Sequence, residues 1–376
     1  MKALRFAAAV LALGGSASCY DFTLADRLCE DGGRCASPPT DGGDAGAPDA
    51  GTTDAGRDGG SGDAGGDAGA DAGNPDCCLN NGACANAATK LASTPTTQPQ
   101  GIAVDPTWLY WINDDGSFVR AQHDGGNAQT LGSIPIAGRS LVVDPNYLSM
   151  IGYDMSGNDG GLFTCLHDGG QLTPVMQTRF MFGPTELNGV LYWMGNNRLW
   201  SGLPDGGSLF QYPIGSGLNG VQAMASSPER VFLGQNAPLS QVTSVQADSG
   251  TATVLASNQA VADVAFDGSA VYWVTAVDGG SWGLYRILPD GGAFTPLAAG
   301  AGPASPQALA IDSSGVYWTF AKSGNAFGKL MTLPFDGGPA TCLQSGLFAA
   351  YRLALDANTV YWTDRSAAGV YSVPKP

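Results

Sequence analysis

The sequence predicts a closed all-β propeller of seven four-stranded blades. Three observations predict it: a unit recurring about every 42 residues, a glycine turn signal at a fixed place in each unit, and an N-terminal segment matching the strand that the last unit lacks. Composition agrees. The 376 residues include 55 Gly and 23 Pro, about a fifth of the chain and about twice the usual level. Only 3 Glu and 5 Lys are present, so a mainly helical protein is excluded. Hydrophobic residues at 44%, with 8 Trp, 12 Tyr and 14 Phe, exclude a chain that is disordered throughout. A net charge of -16 excludes the basic surface that nucleic-acid binding needs.

The chain opens with segments unlike the repeats. Residues 1–89 and 90–376 each carry a formal charge of -8, so acid is concentrated in the shorter part. Lys2 and Arg5, the apolar run Phe6 to Leu13, and the small residues up to Ser18 predict a cleaved export signal over residues 1–18. That run is too short for a bilayer-spanning helix, which needs about 20 residues. Ala17-Ser18-Cys19 resembles a bacterial lipobox, which implies that Cys19 is acylated and becomes the mature N-terminus. More than one acyl chain is enough for stable anchoring. Ser16 stands where the lipobox usually has Leu, and soluble secretion after cleavage at Ser18 is the alternative.

Segment 19–39 holds Cys29 and Cys35, and residues 40–76 form a tether. Gly, Asp and Ala fill 29 of the 37 tether positions, and Asp-(Ala/Gly)-Gly occurs eight times. Nothing there is apolar enough to offset ordering entropy, so a solvated spacer is expected. Calcium binding would need a rigid turn and converging oxygen ligands, which Ala and Gly do not supply. Such spacers resemble those of lipoproteins of myxobacteria and their relatives. A Cys-rich linker, 77–87, adds Cys77, Cys78 and Cys84. In an exported chain Cys29, Cys35, Cys77, Cys78 and Cys84 are disulfide candidates. Their connectivity is open, and a zinc site is the competitor, with no His near it.

The propeller is expected over residues 88–376. Its unit reads Ala-(Val/Ile/Leu)-Asp, a short turn, (Val/Leu)-Tyr-Trp, a variable loop, an apolar stretch, Asp-Gly-Gly and a final apolar stretch. Tyr110, Ser149, Tyr192, Phe232, Tyr272, Tyr317 and Tyr361 are equivalent, separated by 39, 43, 40, 40, 45 and 44 residues. Ala-Val-Asp ends the innermost strand, and Val-Tyr-Trp, rich in β-formers, is the second. Asp-Gly closes the hairpin between third and fourth strands, where positive φ is needed. The seventh unit stops at Pro376 after its third strand. Thr89-Lys90-Leu91-Ala92-Ser93 matches Thr253-Val254-Leu255-Ala256-Ser257, a fourth strand, and would complete blade seven. Closure of this kind leaves no open sheet edge in the ring. Six blades plus a stray unit is the alternative.

Tyr361-Trp362-Thr363-Asp364 and Tyr317-Trp318-Thr319 resemble YWTD-type propeller repeats, and the Ala-Val-Asp strands resemble NHL-type repeats. The YWTD family is six-bladed and most units here lack Thr-Asp, so the resemblance implies a fold and no activity.

No catalytic constellation is legible. His123 and His167 directly precede Asp-Gly-Gly in units one and two and read as equivalent turn residues. Asp105, Asp144, Asp267, Asp312 and Asp356 recur too regularly to form one site and read as turn caps. The Tyr-Trp pairs read as inter-blade packing. No cofactor and no metal site is expected. Cys165 and Cys342 fall in non-adjacent blades, so no bond is expected between them, and both read as buried free thiols.

A ligand surface, if present, belongs on the face where loops entering the first strands meet loops joining second to third strands. The first group carries Gln100, Arg139, Arg179, Phe180, Gln307, Tyr351 and Arg352; the second includes Asp154, Trp282, Phe320, Lys322 and Arg365. Of these, Gln100, Arg139, Arg179, Gln307, Tyr351 and Arg352 are the candidate ligand contacts. Cations gathered near one mouth of an acidic ring point to an anionic ligand. The expected protein is an exported binding or scaffolding module at the cell envelope. It would be a monomer whose partner is an envelope protein or glycan, touching membrane only through its lipid anchor. It would sit on the outer membrane or cell surface, or else be periplasmic or secreted. A lactonase- or lyase-like enzyme and a purely structural protein are the alternatives.

Overall fold

The computed structural model describes residues 88–154, 159–214, 218–277, 281–301, 305–322, 327–335 and 338–376. The export signal, Cys19, the tether and Cys29, Cys35, Cys77, Cys78 and Cys84 lie outside the described residues. Among those described, 28 strands form seven antiparallel four-stranded sheets. Blade one runs outward from the channel through β2 (Pro99–Val104), β3 (Leu109–Asn113), β4 (Ser117–Ala121) and β5 (Gln129–Ser133). The innermost strands of the next five blades are β6 (Gly138–Val143), β10 (Phe182–Leu187), β14 (Val221–Ser227), β18 (Val261–Phe266) and β22 (Ser305–Ile311).

Blade seven joins the two ends of the domain. Its strands are β26 (Ala350–Leu355), β27 (Thr359–Asp364), β28 (Gly369–Pro374) and, outermost, β1 (Thr89–Ser93). Thr89 pairs with Ser372 and Ser93 with Gly369. The repeat count and the closing strand are therefore as the sequence predicts, and β2 packs against β26 to complete the ring.

Tyr-Trp pairs hold blade to blade because successive strand residues point to opposite faces. Trp318 joins the cluster holding Tyr272 and Leu284 of blade five, while Tyr317 joins that of Val360 and Trp362 in blade seven. Trp273 packs back toward Phe232 of blade four. Tyr361 faces forward to Trp111 and Ile102 of blade one. Trp193, Trp273, Trp318 and Trp362 are essentially inaccessible.

The recurring Asp residues cap the turns between first and second strands. Asp105 Oδ1 accepts the amides of Thr107 and Trp108, and Asp356 Oδ1 those of Asn358 and Thr359. Their second oxygens accept the hydroxyls of Tyr110 (2.9 Å) and Tyr361 (2.7 Å). The residue before Asp-Gly-Gly then reaches across to the preceding blade. His123 Nδ1 lies 3.4 Å from Asp356 Oδ2 and its Nε2 3.0 Å from the carbonyl of Asp105. His167 repeats this with Asp105 Oδ2 (3.6 Å) and the Asp144 carbonyl (2.8 Å). Lys375 does so in blade seven, joining Asp312 to the carbonyl of Asp356. These positions are inter-blade latches as well as turn residues, a role that the linear repeat does not reveal.

The latches set an acid limit to stability. Burial works to raise the pKa of Asp356, but hydrogen bonds from Tyr361, Asn358 and Thr359 and the nearby His123 outweigh it and hold the carboxyl below its ordinary value. Asp312 is likewise lowered, burial being outweighed by Lys375 and Ser314. A depressed folded pKa gives stabilisation that is complete above the unfolded value, about 4, and lost as pH falls through the folded one. Asp356→Ala is therefore expected to cost about 1–2 kcal/mol at neutral pH. The gap from wild type, read from urea denaturation at a series of pH values, should shrink steadily from about pH 5 toward pH 2.

One expectation is corrected. Cys165 is a buried free thiol, its pKa pushed up to about 12 by burial and by the charge of Asp168. Cys342 is not free: it is disulfide-bonded. It lies on β25 (Thr341–Leu347), the outermost strand of blade six and half-buried, so its sulfur is reachable from outside the ring.

Candidate ligand site at the mouth of the channel

Every innermost strand bulges at the same level. In β6, Gly138 pairs with Gly152 and Ser140 with Ile151, which leaves Arg139 without an opposite residue. The same step sets off Gln222 in β14, Ala262 in β18 and Tyr351 in β26. In β2, β10 and β22 two residues oppose one: Gln100-Gly101, Gly183-Pro184 and Gln307-Ala308. A bulge bends its strand and re-aims a side chain. Here seven of them form one ring around the channel, near the end where the chain enters each blade.

Two bulges, in blades two and seven, gather the cations. The Arg139 guanidinium lies over the Tyr153 ring, 4.9 Å from its centroid. Tyr351 is flanked by two more guanidiniums, Arg352 at 4.4 Å and Arg365 at 4.9 Å. Burial and the neighbouring Tyr351 raise the pKa of Tyr153, against the pull of Arg139, Arg352 and Arg365. Its phenol therefore stays neutral and available as a donor. Asp263, on β18 of blade five, interacts electrostatically with Arg352 of blade seven. Burial raises its carboxyl pKa, while Arg352 and the amides of Leu309 and Val264 act against that rise. Burial opposes the charge on Arg352, but Tyr351, Asp263 and Tyr153 outweigh it and the pKa is raised. Arg139, Arg352 and Arg365 thus converge on Tyr153 and Tyr351, with Asp263 nearby, in a chain whose net charge is -16. Like charges held together against their repulsion are characteristic of sites rather than of folding.

Beneath this collar is a cavity of about 420 Å3 lined by Arg139, Tyr153, Asp263, Tyr351 and Arg352. Of the six candidate contacts, the structure brings Arg139, Tyr351 and Arg352 together here. Gln307 sits at the same ring level on blade six, but its amide turns to the carbonyl of Ser305 (3.5 Å). Gln100 is fully buried, and its backbone carbonyl accepts the Thr363 hydroxyl at 2.7 Å, so it stands at the seam between blades seven and one. Arg179 lies elsewhere, with Asp159 and Asn196 in a separate open cleft beside blades two and three. From the second loop group Arg365 joins the collar. Phe320 is buried, and Trp282 meets its ring edge-to-face at 5.0 Å. Lys322 lies over Phe327 and Phe348.

Sequence reasoning did not single out Tyr153, Gln222 or Asp263. A signal for Gln222 existed: the bulge residue stands five positions before the turn cap, as in Gln100 and Asp105, Arg139 and Asp144, Tyr351 and Asp356. Asp263 and Tyr153 follow no such rule. Blade seven, the one unit with a complete Tyr-Trp-Thr-Asp, also builds the collar's support. Asp364 is 2% exposed and accepts the amides of Phe348, Ala349 and Ala367 at 3.0, 3.1 and 2.9 Å. It clamps the loop that enters β26 to the loop that carries Arg365.

No protein-family model matches the chain, and no curated protein does. Solved structures match its fold. A structure described as YCF48 bound to D1 peptide aligns with TM-score 0.56 at 12% identity, over 77% of this chain and 97% of that one. An extracellular domain from B. thetaiotaomicron, BT4673, aligns with TM-score 0.58 at 13% identity, over 76% of this chain and 39% of that one. PorZ, a bacterial surface component of the type-IX secretion system of Porphyromonas gingivalis, aligns with TM-score 0.53 at 13% identity, over 76% and 37%. This chain spans well under half the length of the last two. At such identities the likeness establishes the propeller fold.

Proposed function

We propose that the protein is an exported binding module that takes an anionic ligand at the cationic collar of its channel. The carrying observation is the convergence of Arg139, Arg352 and Arg365 on Tyr153 and Tyr351 within an otherwise acidic chain. Guanidiniums recognise carboxylate and phosphate by paired N–H donors, and a neutral phenol adds a further donor. The leader and Cys19 favour lipid anchoring at the cell envelope, with residues 40–76 as spacer. That two fold neighbours are an extracellular domain and a surface component supports export, and that another neighbour is described as bound to a peptide favours a binding role.

The test is calorimetric titration of the full chain with small carboxylates and phosphates. Arg365→Ala and Arg139→Ala are each expected to weaken binding about tenfold or more, since a charge-assisted hydrogen bond contributes about 1.5–3 kcal/mol. Arg179→Ala, in its separate cleft, should leave affinity unchanged. Equal affinity in all three variants would contradict the assignment.

A further inference from the structure

The cavity below the collar has a second chemical character. Its walls also include Val104, Val142, Val143, Met224, Leu353 and Leu355, all partly accessible and all apolar. Strand register orders them along the channel. Gly138 and Ala350 pair with Gly152 and Asp364 at the collar end, whereas Val143 and Leu355 pair with Leu148 and Val360 at the opposite turns. Val104 likewise pairs with Leu109 at the far end of blade one. The channel therefore grades from guanidinium and phenol at one mouth to aliphatic side chains further in.

We infer that the ligand is a small amphipathic organic anion. Its carboxylate or similar head is held by Arg139, Arg352 and Arg365, and its apolar body lies along the aliphatic wall toward Leu353 and Leu355. This rests on the reading of the collar as an anion site and narrows it. A volume of about 420 Å3 falls in the lower part of the range of small-molecule pockets. An inorganic anion would meet the collar and leave the apolar wall in water. A polyanion would meet the collar from outside without entering. Only a head joined to an apolar body satisfies both ends, by charge-assisted hydrogen bonds at one and by removal of apolar surface from water at the other.

The experiment is calorimetric titration of the full chain with acetate, octanoate and inorganic sulfate. Octanoate is expected to bind at least tenfold more tightly than acetate or sulfate. Met224→Trp, which narrows the wall, should lower octanoate affinity at least tenfold and leave sulfate within twofold. Arg365→Gln, at a half-buried and more tolerant position than Arg352, should weaken all three. Thermal melting confirms that each variant is folded, and Leu355→Ala provides a milder wall change if Met224→Trp does not fold. If octanoate binds no better than acetate, yet both weaken in Arg365→Gln, the amphipathic ligand is refuted and the anion site stands. If no anion responds to Arg365→Gln, the anion site itself is refuted.

Discussion

Removal of residues 1–93 is expected to destabilise the propeller by about 3–5 kcal/mol relative to removal of residues 1–87. The two truncations differ by Ala88 and β1. That strand supplies the whole outer edge of blade seven, pairing along β28 from Ser372 to Gly369. Leu91 and Ala92 pack onto the cluster of Ile102, Trp111, Val119 and Tyr361 at the seam with blade one. Full burial of a Leu contributes about 1.5–3 kcal/mol, of which half-buried Leu91 supplies part, and each lost backbone hydrogen bond removes about 0.5–1.5 kcal/mol more. Exposed β28 would also become an unpaired edge and a site for association. Identical melting of the two would contradict closure by β1.

Replacing Asp364 by Ala is expected to cost about 3–5 kcal/mol and to abolish anion binding. The carboxylate serves three amides from two loops, and truncation leaves those donors buried without acceptors. Stranded donors cost about 1–3 kcal/mol each, moderated by any water that enters. Arg365 and Tyr351 stand on the two segments that Asp364 clamps, so their facing geometry is lost together. Asp356→Ala is the matched control. It also removes a turn-capping carboxylate of blade seven, but at the opposite face, and should leave ligand affinity unchanged. A variant at Asp364 that binds anions as well as wild type would separate the clamp from the site.

These two cases show what was legible in the sequence. The closing strand was legible because the seventh unit ends early and Thr89 to Ser93 carries the missing pattern. Blade packing was legible too, since Tyr-Trp at a period of two must present its rings to opposite neighbours. The latches of His123, His167 and Lys375 were not, because they depend on which Asp the adjacent blade places within reach. The collar was half legible. Gln100 and Arg139 hold equivalent bulges, yet one is sealed in a seam and the other faces the channel. Only the pairing of strands reveals which side chain a bulge turns inward. Asp263 of blade five acts electrostatically on Arg352 of blade seven, a neighbourhood that no repeat offset encodes.

The position of a bound anion tests the central claim most directly. Crystals of the propeller soaked with a brominated octanoate should show anomalous bromine signal within the channel, toward Leu353 and Leu355, with the carboxylate in hydrogen-bonding contact with Arg139, Arg352 or Arg365. Bromine located in the Arg179 cleft or on the outer blade surfaces, with an empty channel at saturating ligand, would contradict it.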